Sequence, residues 1–416
     1  MSARKSLLII LCSAVVIRGL AAVVVTEHLE NSGQDFLIAG DAAGYWELGG
    51  HIARGEPYQL LGQPGDPLAD VSIPRKVARM PGFPALLGLV RAVFGDSLLL
   101  ARLVLAVVGT LACYLVYLLG CRIHGTSVGL SAAAACAVSP TLAGFSVLVL
   151  SETLFAVMLL ACLLGAETLC CRAPDLNRRP PRLSAALWTG LAGCAAVYVR
   201  PGWLAVVPLF AVIWIAVSAE RARATVEAAV LLLVVVVGLS PWAWRNQQVT
   251  GHPVLTTLWA GPSLYDGLRP TATGHSDMRF IIDDGLFADP DQTEYTIDRH
   301  YRHAAWEFAR TQPGTAAWLG LAKCWRFLKP WPSADQFGRW WQVTVVAVPT
   351  LLLYLLAIRG AWIHRHQPWT WMLAAGPLLY FAALHTIFVG SLRYRVPAEY
   401  SLWILAAAGC RRRATP

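Results

Sequence analysis

Charge is scarce in this chain. Only 14% of its 416 residues are Asp, Glu, Lys or Arg, against about a quarter in a soluble globular domain. That excludes a surface that faces water throughout. Acids are the scarcer sign, 25 against 34 basic residues. Metal-binding cysteine spacing is missing as well: none of the ten cysteines falls in a CxxC, and no His/Cys spacing suggests a zinc site. Only Cys324 lies clearly in a long polar segment, so no disulfide is expected there. No internal repeat is found, and two similar halves are what a transporter would more often show.

Apolar runs fill the space that charge leaves. Hydrophobic residues make up 56% of the chain, and runs such as "EAAVLLLVVVVGLSPWAW" have helical length without the alternation of a barrel. Only helices and closed barrels satisfy their backbone in lipid. The expectation is an all-α, polytopic transmembrane helical bundle of about ten spans: 6–26, 97–118, 127–145, 148–169, 184–199, 201–218, 226–243, 341–358, 369–389 and 395–410. The first run lacks a small-residue cleavage site and is expected to remain as a helix.

A net charge of +9 would suggest nucleic acid in a soluble protein. Here its placement explains it. Arg4, Lys5, Arg122, Arg172, Arg178, Arg179, Arg182, Arg221, Arg223, Arg359, Arg365 and Arg411–Arg413 fall on one side of the spans, opposed chiefly by Asp175 and Glu220. This positive-inside pattern predicts an inner-membrane protein with both termini cytoplasmic. No nucleic-acid partner is expected.

Two long segments, 27–96 and 244–340, then lie outside, and loops of that length are functional or form a small domain. The chain divides into an N-terminal transmembrane module (1–243) containing the first loop, an extracytoplasmic segment (244–340), and C-terminal transmembrane helices (341–416). "PGFPALLGLVRAVFG" (81–95) is too short to span comfortably and reads as interfacial or re-entrant. The second segment ends in two amphipathic helices expected to lie in the interface, broken at Pro313–Gly314, with Trp318, Trp325 and Trp331 as headgroup anchors. Short inner loops and large outer ones suggest chemistry at the outer leaflet on something lipid-borne.

The first candidate is Asp41, in "GDAAGYWELGGHIARGEPY". Two readings stand: the N-cap of a helix Ala42–Arg54, or a general base aimed at a hydroxyl. Glu152, in "SPTLAGFSVLVLSETLF", is either an ion-pair partner of Arg18 or Arg102, or part of the same site. Neither acid has a second carboxylate beside it in sequence, and a divalent metal (Mg or Mn) is left open. In "SLRYRVPAEY", an extended backbone would point Arg393 and Arg395 to the same side, a pair that suits a phosphate. Pro397 makes a non-helical entry plausible; the other reading is snorkelling anchors. Arg245, Lys323 and Arg326, set among tryptophans, are further candidates for a lipid phosphate, against capping or amphipathic packing. Tyr45 and His51 are expected to pack or line.

Taken together, these segments resemble the GT-C glycosyltransferases, in particular the branch of the protein O-mannosyltransferases and the lipid A aminoarabinose transferase. The resemblance rests on Asp41 and Tyr45 (Asp-x-x-x-Tyr), on Ala53, Gly55 and Tyr58, and on Arg79, Pro81, Gly82 and Pro84. "SETLF", "VRPGW", "PWAWRN" and "RYRVPAEY" follow in order. It spans nearly the whole chain. "MPGF" departs from the branch's second proline and tyrosine, and the expectation is of a chain without the added soluble domain of the protein mannosyltransferases, which counts against a protein acceptor. The resemblance implies an inverting transfer from a polyprenyl-phosphate sugar, at the extracytoplasmic face, to a lipid, glycan or protein hydroxyl. It implies Asp41 as catalytic acid and Glu152 as a second polar group. The rival reading is a non-catalytic lipid-glycan flippase or transporter, whose function would survive loss of Asp41.

Overall fold

The computed structural model describes residues 2–61, 73–170, 182–333 and 337–410. These residues form eighteen α-helices and one 3-10 turn, Pro201–Trp203; their only strand-like pairing is an isolated bridge between Leu60 and Arg75. In order the helices are α1 (Ala3–Asn31), α2 (Ala39–Arg54), α3 (Gly82–Phe94), α4 (Leu98–His124), α5 (Thr126–Val138) and α6 (Pro140–Phe145). Then come α7 (Glu152–Cys170), α8 (Leu183–Val199), α9 (Val206–Val217), α10 (Arg221–Thr250), α11 (Ala260–Gly267) and α12 (Phe280–Asp283). The last are α13 (Glu294–Thr311), α14 (Pro313–Leu328), α15 (Trp340–Ile363), α16 (Pro368–Ala374), α17 (Gly376–Leu384) and α18 (Leu392–Gly409). Arg172, Asp175, Arg178, Arg179 and Arg411–Arg413, named in the charge pattern, lie outside the described residues.

Five helices, α1, α4, α7, α10 and α15, are long and apolar enough to cross a membrane. Leu8, Leu20, Leu233, Val236, Leu355 and Ile358 on them point outward, more than half exposed. Apolar surface of that extent belongs against lipid. The chain is an all-α integral membrane protein.

The other expected spans are interrupted. The stretch 127–145 divides into α5 and α6, because Pro140 brings no N–H and its ring clashes with the preceding turn; Ser139 Oγ accepts from Leu142 N at 3.5 Å and starts the new helix. The stretch 369–389 divides into α16 and α17 at Ala375, with Pro377 in the second helix's first turn. Segment 81–95 is one short helix, α3, burying Phe83, Leu87 and Val90. The two amphipathic helices expected before 340 are α13 and α14, parted at Gln312 with Pro313 as first residue of the second. Trp318 and Trp325 stand exposed on α14.

At the centre runs α18, buried from Arg395 to Gly409 and packed against α15, α5, α7 and α17. It approaches α15 so closely that a Cβ on Gly360 or Gly409 would collide with the other helix's backbone. Small residues that let backbones touch are a common device of membrane helix pairs. Surrounded by protein rather than lipid, α18 can carry charge provided each charge is paired. Arg395 donates to Glu399 Oε1 at 2.6 Å and to the carbonyls of Phe327, Leu328 and Lys329 at 2.8–3.1 Å. It ties the end of α14 to α18, a cation at a helix C-terminus.

Arg18 does similar work in α1. Fully buried, it donates to the Cys136 and Ala137 carbonyls at 2.9 and 3.0 Å, where α5 ends, and to Ser146 Oγ at 3.2 Å. The Ser139–Pro140 break frees those carbonyls, and Arg18 satisfies them.

Because Arg395 is 0% and Glu399 2% exposed, removing the acid strands a charge. Glu399→Ala is expected to destabilise the protein by about 3 kcal/mol, read as a lowered thermal midpoint in detergent, whereas Glu399→Gln, which keeps the acceptor oxygen, loses less.

Candidate functional site

Five charged side chains from five places in the chain meet near the N-terminal ends of α2, α7 and α18. Asp41 is in the first turn of α2, whose N-cap is Ile38. It is not the cap, and its carboxylate is spoken for elsewhere: Oδ1 accepts from Arg79 Nη2 and Oδ2 from Arg393 Nη1 at 2.6 Å. Glu152 is in the first turn of α7. Its Oε1 accepts from Arg200 Nη2 at 2.7 Å and from Arg393 Nε. Arg200 also donates through Nε to Ser151 Oγ at 3.1 Å. Arg393 thus bridges the two acids, whereas Glu152 pairs with neither Arg18 nor Arg102; Arg102 donates to Thr26 Oγ1 and the Asp35 carbonyl.

The cluster holds three guanidiniums against two carboxylates, one positive charge in excess. The Asp41 side chain is 28% exposed and that of Glu152 0%, so Asp41 is the acid that solvent reaches and Glu152 the one sealed inside. Oε2 of Glu152 is buried without a hydrogen-bond partner, an acceptor waiting for a donor. Burial alone would raise the Asp41 carboxyl, but Arg79, Arg393 and Arg200 outweigh it and hold the group well below the usual carboxylate range.

Aromatic rings flank the cluster. Tyr45 meets Phe83 edge-on at 5.0 Å and lies 5.8 Å from the Arg79 guanidinium. Tyr394 has Arg200 at 5.4 Å and Arg393 at 5.8 Å from its ring centre, and stacks on His385 at 4.4 Å. Tyr394, Arg79 and Arg200 carry no role in the sequence reading. Arg79 and Arg200 stand two residues and one residue before a proline, in "RMPGF" and "VRPGW". An arginine at such a helix-breaking position, with no acid nearby in sequence, is the signal that points to a distant partner.

Other candidates lie elsewhere. Residue 395 is helical, not extended, and on a helix residues two apart point ~200° from each other; Arg395 therefore faces Glu399 while Arg393 faces the acids. Pro397 sits inside α18, where one lost backbone bond is outweighed by burial of the whole helix. Lys323 is fully buried, donating to the Gly267 and Ile387 carbonyls at 3.0 and 2.7 Å. Burial draws its ammonium down to about 8, with Asp266 opposing. Arg245 donates to the Lys76 and Tyr58 carbonyls at 2.8 and 2.9 Å and lies over Trp242. Arg326 reaches His275 Nδ1 at 3.0 Å. All four hold the fold together rather than join the cluster.

A divalent cation does not fit. Both oxygens of Asp41 and one of Glu152 already accept from guanidiniums, and the excess charge repels a second cation. Among the described residues, no group of three His, Cys, Asp or Glu side chains is placed to hold a metal.

No family model matches the sequence, and no curated protein matches it. Solved structures do. The archaeal oligosaccharyltransferase of Archaeoglobus fulgidus, in its apo form, superposes with a TM-score of 0.58 at 15% identity, over 95% of this chain and 50% of that one. The same enzyme in complex with an inhibitory peptide and a dolichol-phosphate gives 0.53 at 13% identity over the same shares. In complex with Zn and sulfate it gives 0.52 at 15%, over 95% and 48%. The chain has the GT-C fold. It spans about half the length of these oligosaccharyltransferases, and identity this low speaks for the GT-C fold and not for the branch. ArnT from Cupriavidus metallidurans, bound to undecaprenyl phosphate, gives a TM-score of 0.45 at 15% identity, over 98% of this chain and 77% of that one.

The second long segment braces the site. Glu294, at the start of α13, accepts from Lys76 N at 2.9 Å and from Val77 N at 3.0 and 3.1 Å. Burial pushes its carboxyl up to about 7, against the pull of those two N–H groups, Arg245 and Arg75. Its value in the fold lies above its ordinary 4.5, so the folded chain holds this proton more tightly than the unfolded one. That contribution to stability is complete below the ordinary value and is lost as pH rises through about 7. The thermal midpoint is therefore expected to fall between pH 5 and pH 8 (roughly the span of the transition), and Glu294→Gln to flatten that dependence.

Proposed function

We propose that this chain is a membrane glycosyltransferase that moves a sugar from a polyprenyl-phosphate donor to an acceptor hydroxyl. One observation carries the reading: Asp41, the partly exposed acid, is held by guanidiniums of matching charge to one phosphodiester. In this reading Arg393, Arg79 and Arg200 receive the donor's phosphate. Its arrival draws Arg393 and Arg79 from Asp41. Freed of part of their pull, the carboxylate becomes more basic and takes the proton of the acceptor hydroxyl. The acceptor oxygen then bonds to the anomeric carbon from the face opposite the phosphate, with inversion. The bond between that carbon and the phosphate oxygen breaks, and its electron pair stays on the phosphate, where the guanidiniums stabilise it. Glu152 fixes Arg393 and Arg200 and offers Oε2 to a hydroxyl of the bound substrate.

The apolar runs of the sequence support about ten spans, and positive-inside placement of arginines supports cytoplasmic termini, a cytoplasmic-membrane location and a site at the outer leaflet. The dolichol-phosphate bound to the fold relative supports a lipid phosphate as donor carrier. The tests are direct. Asp41→Asn in membranes assayed with a panel of polyprenyl-phosphate sugars is expected to lose ~10²–10⁴-fold in transfer while remaining folded, with a lowered thermal midpoint because the guanidiniums lose one compensating charge; undiminished transfer would end the assignment. Chelation with EDTA is expected to leave the wild-type rate unchanged, since the guanidiniums supply at the phosphate the positive charge a metal would bring.

A further inference from the structure

We infer that Trp259 is a positioning residue for the site, holding the Arg79 guanidinium at the angle needed to meet a phosphate; this rests on the donor-binding role just proposed for Arg79. Arg79 belongs to no helix. A long side chain on such a stretch has many rotamers, and a phosphate contact selects few of them. Asp41 takes one of its nitrogens, and its Nε is buried without a hydrogen-bond partner. Hydrogen bonds alone therefore leave the guanidinium under-determined. The remaining restraint is aromatic: Arg79 lies 5.8 Å from the Tyr45 ring centre and 5.5 Å from that of Trp259. Indole is the strongest of the aromatic partners for a cation.

Trp259 itself is firmly placed. It precedes α11 in the second long segment, carries Arg75 at 5.8 Å as well, and packs against Phe287 at 6.0 Å. The backbone beside it is tied to the backbone before Arg79, Leu258 N donating to the Val77 carbonyl at 3.0 Å. Peptide and guanidinium are thus set by the same piece of chain, the peptide through Leu258 and Glu294, the guanidinium through Trp259. Of the second segment's aromatic residues near the cluster, Trp259 is the one that touches a guanidinium paired with Asp41.

The test is a double-mutant cycle on the full chain in nanodiscs, reading the Kd for undecaprenyl phosphate. Trp259→Leu is expected to weaken binding roughly tenfold, Trp259→Phe less, and Trp259→Leu to add nothing once Arg79→Ala is present. Phe287→Leu, which loosens the packing that holds Trp259 without touching Arg79, is expected to weaken binding less than Trp259→Leu does. Independent, multiplying losses from Trp259→Leu and Arg79→Ala overturn the inference, and so does wild-type binding by Trp259→Leu. Thermal midpoints check that each variant is folded; should Trp259→Leu not fold, the same cycle runs with Trp259→Phe. The two ideas fail differently. Wild-type binding by both Arg79→Ala and Arg393→Ala overturns the phosphate site and this inference together, whereas weakened binding in those variants with additive Trp259 losses overturns the inference alone.

Discussion

A partner for every buried charge is the constraint around which this molecule is built. An isolated ion buried in a low-dielectric interior costs several kcal/mol even after relaxation, so Asp41 and Glu152 can be held there only with partners. The partners come from far along the chain: Arg393 is 352 residues from Asp41 and 241 from Glu152. Arg200 and Arg79 are 48 and 38 residues from their acids. Satisfying two carboxylates therefore fixes the relative positions of α2, α7, the turn after α8, and α18. The same logic runs through the rest of the bundle. Arg395 with Glu399, and Arg18 with the carbonyls at the end of α5, are further solutions to one problem, each joining elements that apolar packing alone would let slide.

Much of the fold was legible because lipid imposes so strict a rule. Apolar runs had to be helices, and α1, α4, α7, α10 and α15 stand where the runs are. Proline and serine inside a run blurred the reading. The stretch 127–145 carries enough apolar residues to cross, and only the geometry at Pro140 divides it. The charged helix α18 was legible from its apolar half alone; that it is enclosed by protein on all sides is a tertiary fact with no local signature.

The site was legible in part and for an uneven reason. Asp41, Glu152 and Arg393 stand out because a charge at the end of an apolar run is costly wherever it goes. Arg395 stands out equally and serves a different purpose, because the sequence near Pro397 suits an extended strand as well as a helix, and the two geometries place residues 393 and 395 on the same or on nearly opposite sides. Lys323 and Arg245 drew attention by their tryptophan neighbours, yet their partners are backbone carbonyls, which every residue has and no sequence advertises. Arg79 and Arg200 are the reverse case: their partners are rare acids, but distant ones.

A site of this composition also bears on how a weak base can be kept ready without acting early. In the proposed reading, the Asp41 carboxylate held between Arg79 and Arg393 is too acidic to take a hydroxyl's proton, and water at its exposed edge meets an acid already committed to its ion pairs. A phosphate competes for the same guanidiniums with at least equal geometry, since arginine's fork matches phosphate and carboxylate alike. The exchange costs little, because one anion replaces another over the same cations. Basicity then rises at the moment the leaving group is in place. A lysine or a metal ion at the centre would neutralise as well, but neither offers one planar group with several fixed donors that can bridge two acids, as Arg393 does. The excess of one guanidinium over the carboxylates fits the proposed donor: without it, a bound phosphodiester would add an unbalanced negative charge, and the cluster would repel the anion.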